Sequence, residues 1–246
     1  MEKIKFSIVT PCWNSELTIA RTIESVLNQD YDNYEYIIID AASTDETISI
    51  VNSYKEKFAQ KNIDFTIVSE PDNGIYDAMN KGIKLATGDF VGIVNSDDYY
   101  EHTTLCNVND FYKNTKFDIC FGNLRIFDDK GSFIKKARLK NKFEKTHWNH
   151  PTMFVSKNIY NERLYACQNI FDDLDFMLWC INQNRFKIVT INTILSNFQL
   201  GGVSSEKSWK KSMERVKLSN QIYKNYNMSG YPITNFIIEA IKFLRG

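Results

Sequence analysis

The stretch Phe90-Val91-Gly92-Ile93-Val94-Asn95-Ser96-Asp97-Asp98 is an apolar, β-branched run that ends on a pair of carboxylates. A run of this kind reads as a buried strand of a parallel sheet, and open α/β sheets bind ligands outside the carboxyl ends of their strands. Two adjacent aspartates on a turn offer several hard oxygen donors, which suit Mg2+ or Mn2+ shared with a diphosphate better than zinc. The simpler alternative is that Asp97 and Asp98 cap a helix beginning near Thr103, and the run alone leaves both readings open.

Upstream, Phe6-Ser7-Ile8-Val9-Thr10 predicts a first strand broken by Pro11, followed by a helix with Ile19, Ile23, Val26 and Leu27 on one side. Glu35 to Asp40 predicts a second strand ending in a carboxylate, and Ser43-Thr44-Asp45-Glu46 has the form of a capping box. Phe65 to Val68 predicts a third strand. Glu70-Pro71-Asp72-Asn73-Gly74 is turn chemistry before a helix carrying Ile75, Met79, Ile83 and Ala86. Four strand-then-helix units in about a hundred residues predict an α/β fold, a mostly parallel sheet with helices on both faces and right-handed crossovers. Neither G-x-G-x-x-G nor G-x-x-x-x-G-K-[ST] occurs, so a metal is expected to handle any phosphates. Asp40, Asp72, Asp97 and Asp98 are expected to line one crevice.

Downstream the alternation stops. Ile119 to Phe127 and Phe133 to Lys135 predict two antiparallel strands joined by a turn at Asp128-Asp129-Lys130-Gly131. A basic, irregular segment from Arg138 to Asn149 leads to an extended run, His150 to Val155. A helix begins at Phe171 with Asp172, Asp173 and Asp175 in its first turn, where acids complement the helix dipole. Lys187 to Ile191 and Ile194 to Phe198 are two further strand candidates, and Gly201-Gly202-Val203-Ser204-Ser205 is a flexible connection. Glu206 to Tyr226 predicts a long charged helix. Ile233 to Arg245 is amphipathic, suited either to packing on the protein or a second subunit, as in a homodimer, or to lying in a membrane surface.

The 246 residues, 43% hydrophobic, are enough for one large domain with an appended tail. Thirty basic against thirty acidic residues give no bulk attraction to nucleic acid. Five scattered cysteines without a CxxC pair argue against a disulfide framework and a structural zinc, which fits a reducing cytoplasm. The first strand begins too early to leave room for a signal peptide, and no apolar run is long enough to span a membrane.

The ordered set Ser7 to Pro11, Asp40 to Asp45, Glu70 to Gly82, Gly88-Asp89, Asn95 to Asp98 and Phe171-Asp172-Asp173 resembles the family 2 glycosyltransferases of the GT-A fold. The resemblance is dense over the first hundred residues or so and sparse beyond. It implies a GT-A domain at 1–204, with a nucleotide-binding half at 1–100 and an acceptor-binding half at 101–204, and a helical extension at 205–246. It implies an inverting, metal-dependent hexosyltransferase that uses a UDP-sugar and Mn2+ or Mg2+. The form Gly74-Ile75-Tyr76-Asp77-Ala78-Met79-Asn80-Lys81-Gly82 resembles that of bacterial enzymes of O-antigen, capsule or exopolysaccharide synthesis, which act on lipid-linked glycans at the inner face of the plasma membrane.

The roles implied are specific. Thr10, Pro11 and Trp13, with Asp40 and Asp72, hold the base and ribose. Asn95 and Ser96 lie beside them, and Asn95 hydrogen-bonds a ribose or sugar hydroxyl. Asp97 and Asp98 form the metal motif. Asp173, preceded by Asp172, is the general base, His150 lies near the acceptor, and Ser204 belongs to a loop closing over the diphosphate. Two departures bear on the donor: Asp40-Ala41-Ala42 stands where many relatives have Asp-Gly-Ser, with Ala41 narrowing the turn, and Asn95 stands where many have Asp. Two other classes share these features in part. A metal-dependent nucleotidyltransferase would want a basic, glycine-rich loop where Thr10-Pro11-Cys12-Trp13-Asn14 stands, and a non-catalytic nucleotide-sugar-binding protein could dispense with Asp173.

Overall fold

Strands β1 (Phe6–Cys12), β2 (Tyr34–Asp40), β3 (Asp64–Ser69) and β4 (Phe90–Ile93) pair in parallel, in the order β3-β2-β1-β4. The structure is a computed structural model that describes residues 3–139, 148–200 and 209–228. Cys12 lies opposite Asp40 and Asp40 opposite Ser69, so three carboxyl ends finish level. Pro11 does not break β1 but lies inside it, opposite Ile39. Val9 O accepts from Val94 N and Cys12 O from Ala41 N, so the backbone of Pro11 is turned toward the β4 side. β4 has already ended there, and no ladder bond is lost for want of an N–H.

Helix α1 (Ile19–Leu27) buries Ile19, Thr22, Ile23, Val26 and Leu27. The crossover from β2 to β3 holds two short helices, α2 (Thr47–Asn52) and α3 (Lys55–Gln60). The capping box does not form. Ser43 gives both its N–H and its hydroxyl to the Asp40 carboxylate and accepts Asn14 N–H on Oγ, so its oxygen is not turned to the helix N–H groups, and α2 starts at Thr47 without a side-chain cap. Helix α4 (Ile75–Leu85) lies directly on β1: a Cβ at Gly82 would stand 2.3 Å from Val9 Cγ1. A core of Phe6, Ile8, Ile23, Tyr36, Ile38 and Phe154 fills the space between sheet and helices, each side chain contributing about 1.5–3 kcal/mol by leaving water.

The second half turns the sheet mixed. It contains β5 (Tyr99–Tyr100), α5 (Thr104–Asn114), β6 (Ile119–Asp128), β7 (Gly131–Lys135), β8 (Phe154–Ser156), α6 (Lys157–Glu162), α7 (Asp172–Asn182), β9 (Ile188–Gln199) and α8 (Trp209–Asn225). β8 runs antiparallel to β4 and β6, β9 parallel to β6, β5 antiparallel to β9, and β6–β7 is the expected hairpin. The extended run expected at His150 to Val155 is a 3₁₀ turn, His150–Thr152, followed by β8, because Pro151 suits the first turn of a helix and has no N–H to give a ladder. The two candidates after Lys187 are one strand, β9, whose register to β6 shifts between Gly122 and Leu124.

The chain divides into two compact units, Met1–Cys167 with Lys187–Leu200, and Gln168–Phe186 with Gly201–Gly246. The whole sheet belongs to the first, α7 and α8 to the second. Ser204, the 201–205 connection and the amphipathic 233–245 stretch lie outside the described residues. Among the described residues no helix is long and apolar enough to cross a membrane.

Candidate active site

Four loops leave the carboxyl ends of β1 to β4, and hydrogen bonds stitch three of them together. Asn14, at φ 44°, receives Thr44 N–H on Oδ1 at 2.9 Å and gives its own N–H to Ser43 Oγ at 2.8 Å. Ser15 N–H donates to Thr47 Oγ1 at 2.7 Å, Glu16 N–H to Asp45 Oδ2 at 3.1 Å, and Glu46 N–H back to Glu16 Oε2 at 3.0 Å. Ser15 Oγ then meets Ser96 Oγ at 2.8 Å, which joins the pair to the acidic turn. Such a rigid rim is what a site needs to hold a flexible ligand without ordering itself first.

Of the first-strand residues, Thr10 is buried and accepts the Tyr36 hydroxyl at 3.0 Å, Pro11 is buried, and Trp13 is 63% exposed at the rim. Asp40 is fully buried, and its carboxylate receives Ser43 N–H at 3.0 Å, the Ser43 hydroxyl, the Ser69 hydroxyl at 2.6 Å and the Cys12 thiol at 3.7 Å. It therefore ties the ends of β1, β2 and β3. Burial, and then the Asp40 charge, push the Cys12 thiol far above its ordinary range. The left-handed residue in this turn is Ala42, at φ 53°, so the strain that a glycine would relieve sits there and not at Ala41. Asp72 is half-buried and accepts Gly74 N–H at 2.8 Å, and Lys81 braces its loop through Pro71 O at 2.8 Å and Glu70 at 2.9 Å.

The acidic turn does not cap a helix, because β5 intervenes and α5 starts only at Thr104. Its two acids differ sharply. Asp98 is fully buried and accepts Gln199 N–H at 3.1 Å and the Asn95 amide at 3.4 Å. Burial, reinforced by the Asp97 charge, raises its carboxyl well above the usual range. Asp97 is half-buried; burial raises it too, and the Arg21 charge pulls it back. Its carbonyl accepts Arg21 Nη2 at 2.7 Å. Asn95 Oδ1 is buried and has no hydrogen-bond partner among the described residues.

β8 runs antiparallel to β4, so His150, just before it, falls on the edge where β4 ends. Its Nε2 lies 3.0 Å from Tyr165 Oη, and Asn80 holds the Tyr165 backbone from both sides, at 2.9 and 3.0 Å. Within the second unit, the three acids that open α7 have separate work. Asp172 is buried and takes the N–H groups of Gln168 and Asn169 at 2.8 and 3.2 Å, while Asp175 takes the Tyr226 hydroxyl at 2.9 Å. Asp173 is half-buried and accepts Leu174 N–H at 2.8 Å, a bond that leaves most of its lone pairs uncommitted.

Residues 7–170 match Glycosyl transferase family 2. The chain belongs to that family. It is 25% identical over 226 residues, 88% of its own length and 86% of the relative's, to the PGL/p-HBAD biosynthesis glycosyltransferase of Mycobacterium bovis. Its fold is that of S. aureus TarS 1-349 in complex with UDP-GlcNAc, with TM-score 0.72, 20% identity, and coverage of 98% of this chain and 73% of that one. It is likewise similar to the mannosyltransferase PcManGT of Pyrobaculum calidifontis in complex with GDP-Man and Mn2+, at TM-score 0.70, 15% identity, and coverage of 97% and 69%. The GT-A fold and glycosyltransferase class follow.

In this family 2 glycosyltransferase the described residues hold no cluster of three or more His, Cys, Asp or Glu able to enclose a metal. The Asp97 carboxylate and the orphaned Asn95 Oδ1 are hard oxygen donors, which fit Mg2+ or Mn2+ that completes its shell with water and a substrate diphosphate. Reading the sequence alone missed Ser15, Arg21, Thr22 and Gln199. Thr22 had a signal, a hydroxyl inside the apolar stripe of α1; Arg21 and Gln199 had none.

Proposed function

We propose that this glycosyltransferase carries a sugar from a UDP-sugar to a hydroxyl of a lipid-linked glycan, with inversion, in the synthesis of a bacterial surface polysaccharide such as an O-antigen or capsule. The observation that carries the reading is the split between the two acids of the turn: Asp98 is buried and bonded, while Asp97 keeps a partly exposed carboxylate at the carboxyl end of β4. The ligands bound in the similar structures, UDP-GlcNAc in one and GDP-Man with Mn2+ in the other, agree with it in kind.

In the proposed reaction, a bond forms from the acceptor oxygen to the anomeric carbon as the bond to the diphosphate oxygen breaks. The leaving diphosphate keeps the electron pair. The acceptor proton passes to the Asp173 carboxylate, a step worth about 10²–10⁴-fold in rate for a positioned base. Asp97 and Asn95 Oδ1 would hold Mn2+ or Mg2+, which when bound offsets the charge growing on the leaving diphosphate. The exposed Trp13 ring offers a stacking face to the base, and Thr10, Pro11 and Asp40 act on the nucleotide by fixing the loops it rests on. Asp72 and Ser96 supply polar contacts to the ribose. Attachment at the inner membrane face through 233–246 belongs to the same proposal.

The experiment is the anomeric configuration of the product, read by NMR coupling constants, for wild type and Asp173→Asn. Inverted product, with Asp173→Asn binding UDP but losing at least about 100-fold in turnover, is expected. Retained configuration would contradict inversion, and undiminished turnover would remove Asp173 as the base.

A further inference from the structure

The main chain of the acidic turn is held from behind by helix α1. Arg21 Nη2 donates to Asp97 O at 2.7 Å, and Thr22 Oγ1 lies 2.6 Å from Asp98 O and 2.9 Å from Ser96 O, sharing its single proton between them. The same Arg21 nitrogen donates to the side-chain oxygen of Gln199, whose backbone N–H donates to Asp98 Oδ1. A closed ring of contacts therefore runs from Asp97 through Arg21 and Gln199 to Asp98.

The guanidinium is fixed on its other sides as well. It lies 5.0 Å from the Tyr99 ring and 5.3 Å from the Phe127 ring, two rings that meet edge to face at 5.5 Å. Its planar fork is thus pre-oriented, and little side-chain freedom remains to be lost when a ligand arrives. The fit is not one that stability alone would choose, since Arg21 Nε is buried without a partner among the described residues.

We infer that Arg21 is a positioning residue for donor binding: it holds the Asp97 carbonyl inward so that the Asp97 carboxylate faces the donor, and through Gln199 it keeps Asp98 turned away. The inference rests on the reading of Asp97 as the acid that faces metal and diphosphate. An arginine placed here only for packing would support folding and leave metal affinity alone.

The test is Mn2+ binding by the full chain in the presence of UDP, followed by loss of the free Mn2+ EPR signal, with melting temperature measured separately without either. Arg21→Met is expected to weaken Mn2+ binding about tenfold, and Arg21→Lys to recover part of it, because an ammonium reaches one of the two acceptors. The donor KM is expected to rise by more than kcat falls. Gln199→Met, which leaves the bond to Asp97 O in place, is expected to weaken binding about threefold and carries the test if Arg21→Met does not fold. Wild-type Mn2+ affinity in folded Arg21→Met, or in Gln199→Met where only that variant folds, overturns the inference while the proposed function stands. A wild type that binds no Mn2+ with UDP overturns both.

Discussion

Gln199 N–H donates to Asp98 Oδ1 at 3.1 Å, which fastens the last residue of β9 to the acidic turn 101 residues earlier in the chain. Asp98 thereby does structural work, and Asp97 is left to face outward. Replacing each should separate the two. Asp98→Ala leaves Gln199 N–H without its acceptor and is expected to cost about 1–3 kcal/mol of stability. Asp97→Asn is expected to change stability by less than about 0.5 kcal/mol and to lower turnover at least about 100-fold. Thermal unfolding and a turnover assay on both variants check this; the reverse pattern would mean the roles are exchanged.

Glu35 gives the chain an acid limit. Burial alone would raise its carboxyl, but the Ser7 hydroxyl at 2.5 Å, Thr87 N–H at 2.6 Å, the Thr87 hydroxyl at 3.0 Å and the Lys5 ammonium outweigh it and hold it below the usual range. A lowered folded-state value means that the stabilisation is present above the ordinary glutamate range, about 4.3, and is lost as pH falls through the lowered value. Glu35→Gln should flatten this acid limb and cost about 1–2 kcal/mol near neutrality. Urea unfolding across the acid range would show an unchanged slope if Glu35 plays no such part.

Gly82 marks a close approach of α4 to β1. With Val9 Cγ1 at 2.3 Å from where a Cβ would stand, and Ile39 Cγ1 at 3.3 Å, Gly82→Val must push the helix off β1. A loss of about 3 kcal/mol is expected, read as a lowered denaturation midpoint. A midpoint equal to wild type would mean that α4 and β1 are not so closely packed.

Four of the five cysteines should fall into two reactivity classes, with the half-buried Cys106 between them. Cys167 is exposed, whereas Cys12, Cys120 and Cys180 are buried, and burial raises the Cys12 and Cys120 thiols. Iodoacetamide on the native protein is expected to label Cys167 first and to reach the buried three only on unfolding. Early labelling at Cys12 would mean that the β1–α1 loop opens.

The parallel half of the sheet was legible in the sequence because β1, β2 and β4 are buried on both faces and so read as unbroken apolar runs. β6 beside β9 was not: that pairing joins segments about seventy residues apart, and no local pattern records it. Ser43 shows the limit at shorter range, since Ser-x-x-Glu spacing is a true cap signal that here loses to a buried carboxylate three residues back. In the site, the acids were legible as acids at strand ends, but which of Asp97 and Asp98 faces outward depends on Gln199, and which of the α7 acids is uncommitted depends on Gln168, Asn169 and Tyr226. Gln199 and Tyr226 arrive through tertiary packing, and Gln168 and Asn169 through the backbone conformation of the turn that enters α7.

The most direct measurement is release of nucleoside diphosphate from each common UDP-, GDP- and dTDP-sugar by purified protein with Mn2+, with and without EDTA, for wild type and Asp97→Asn. The expected result is EDTA-sensitive release of UDP from one UDP-sugar by wild type, nearly absent in Asp97→Asn. Release unaffected by EDTA and by Asp97→Asn, or UDP that fails to bind in the presence of Mn2+, would contradict a metal-assisted donor site at the end of β4.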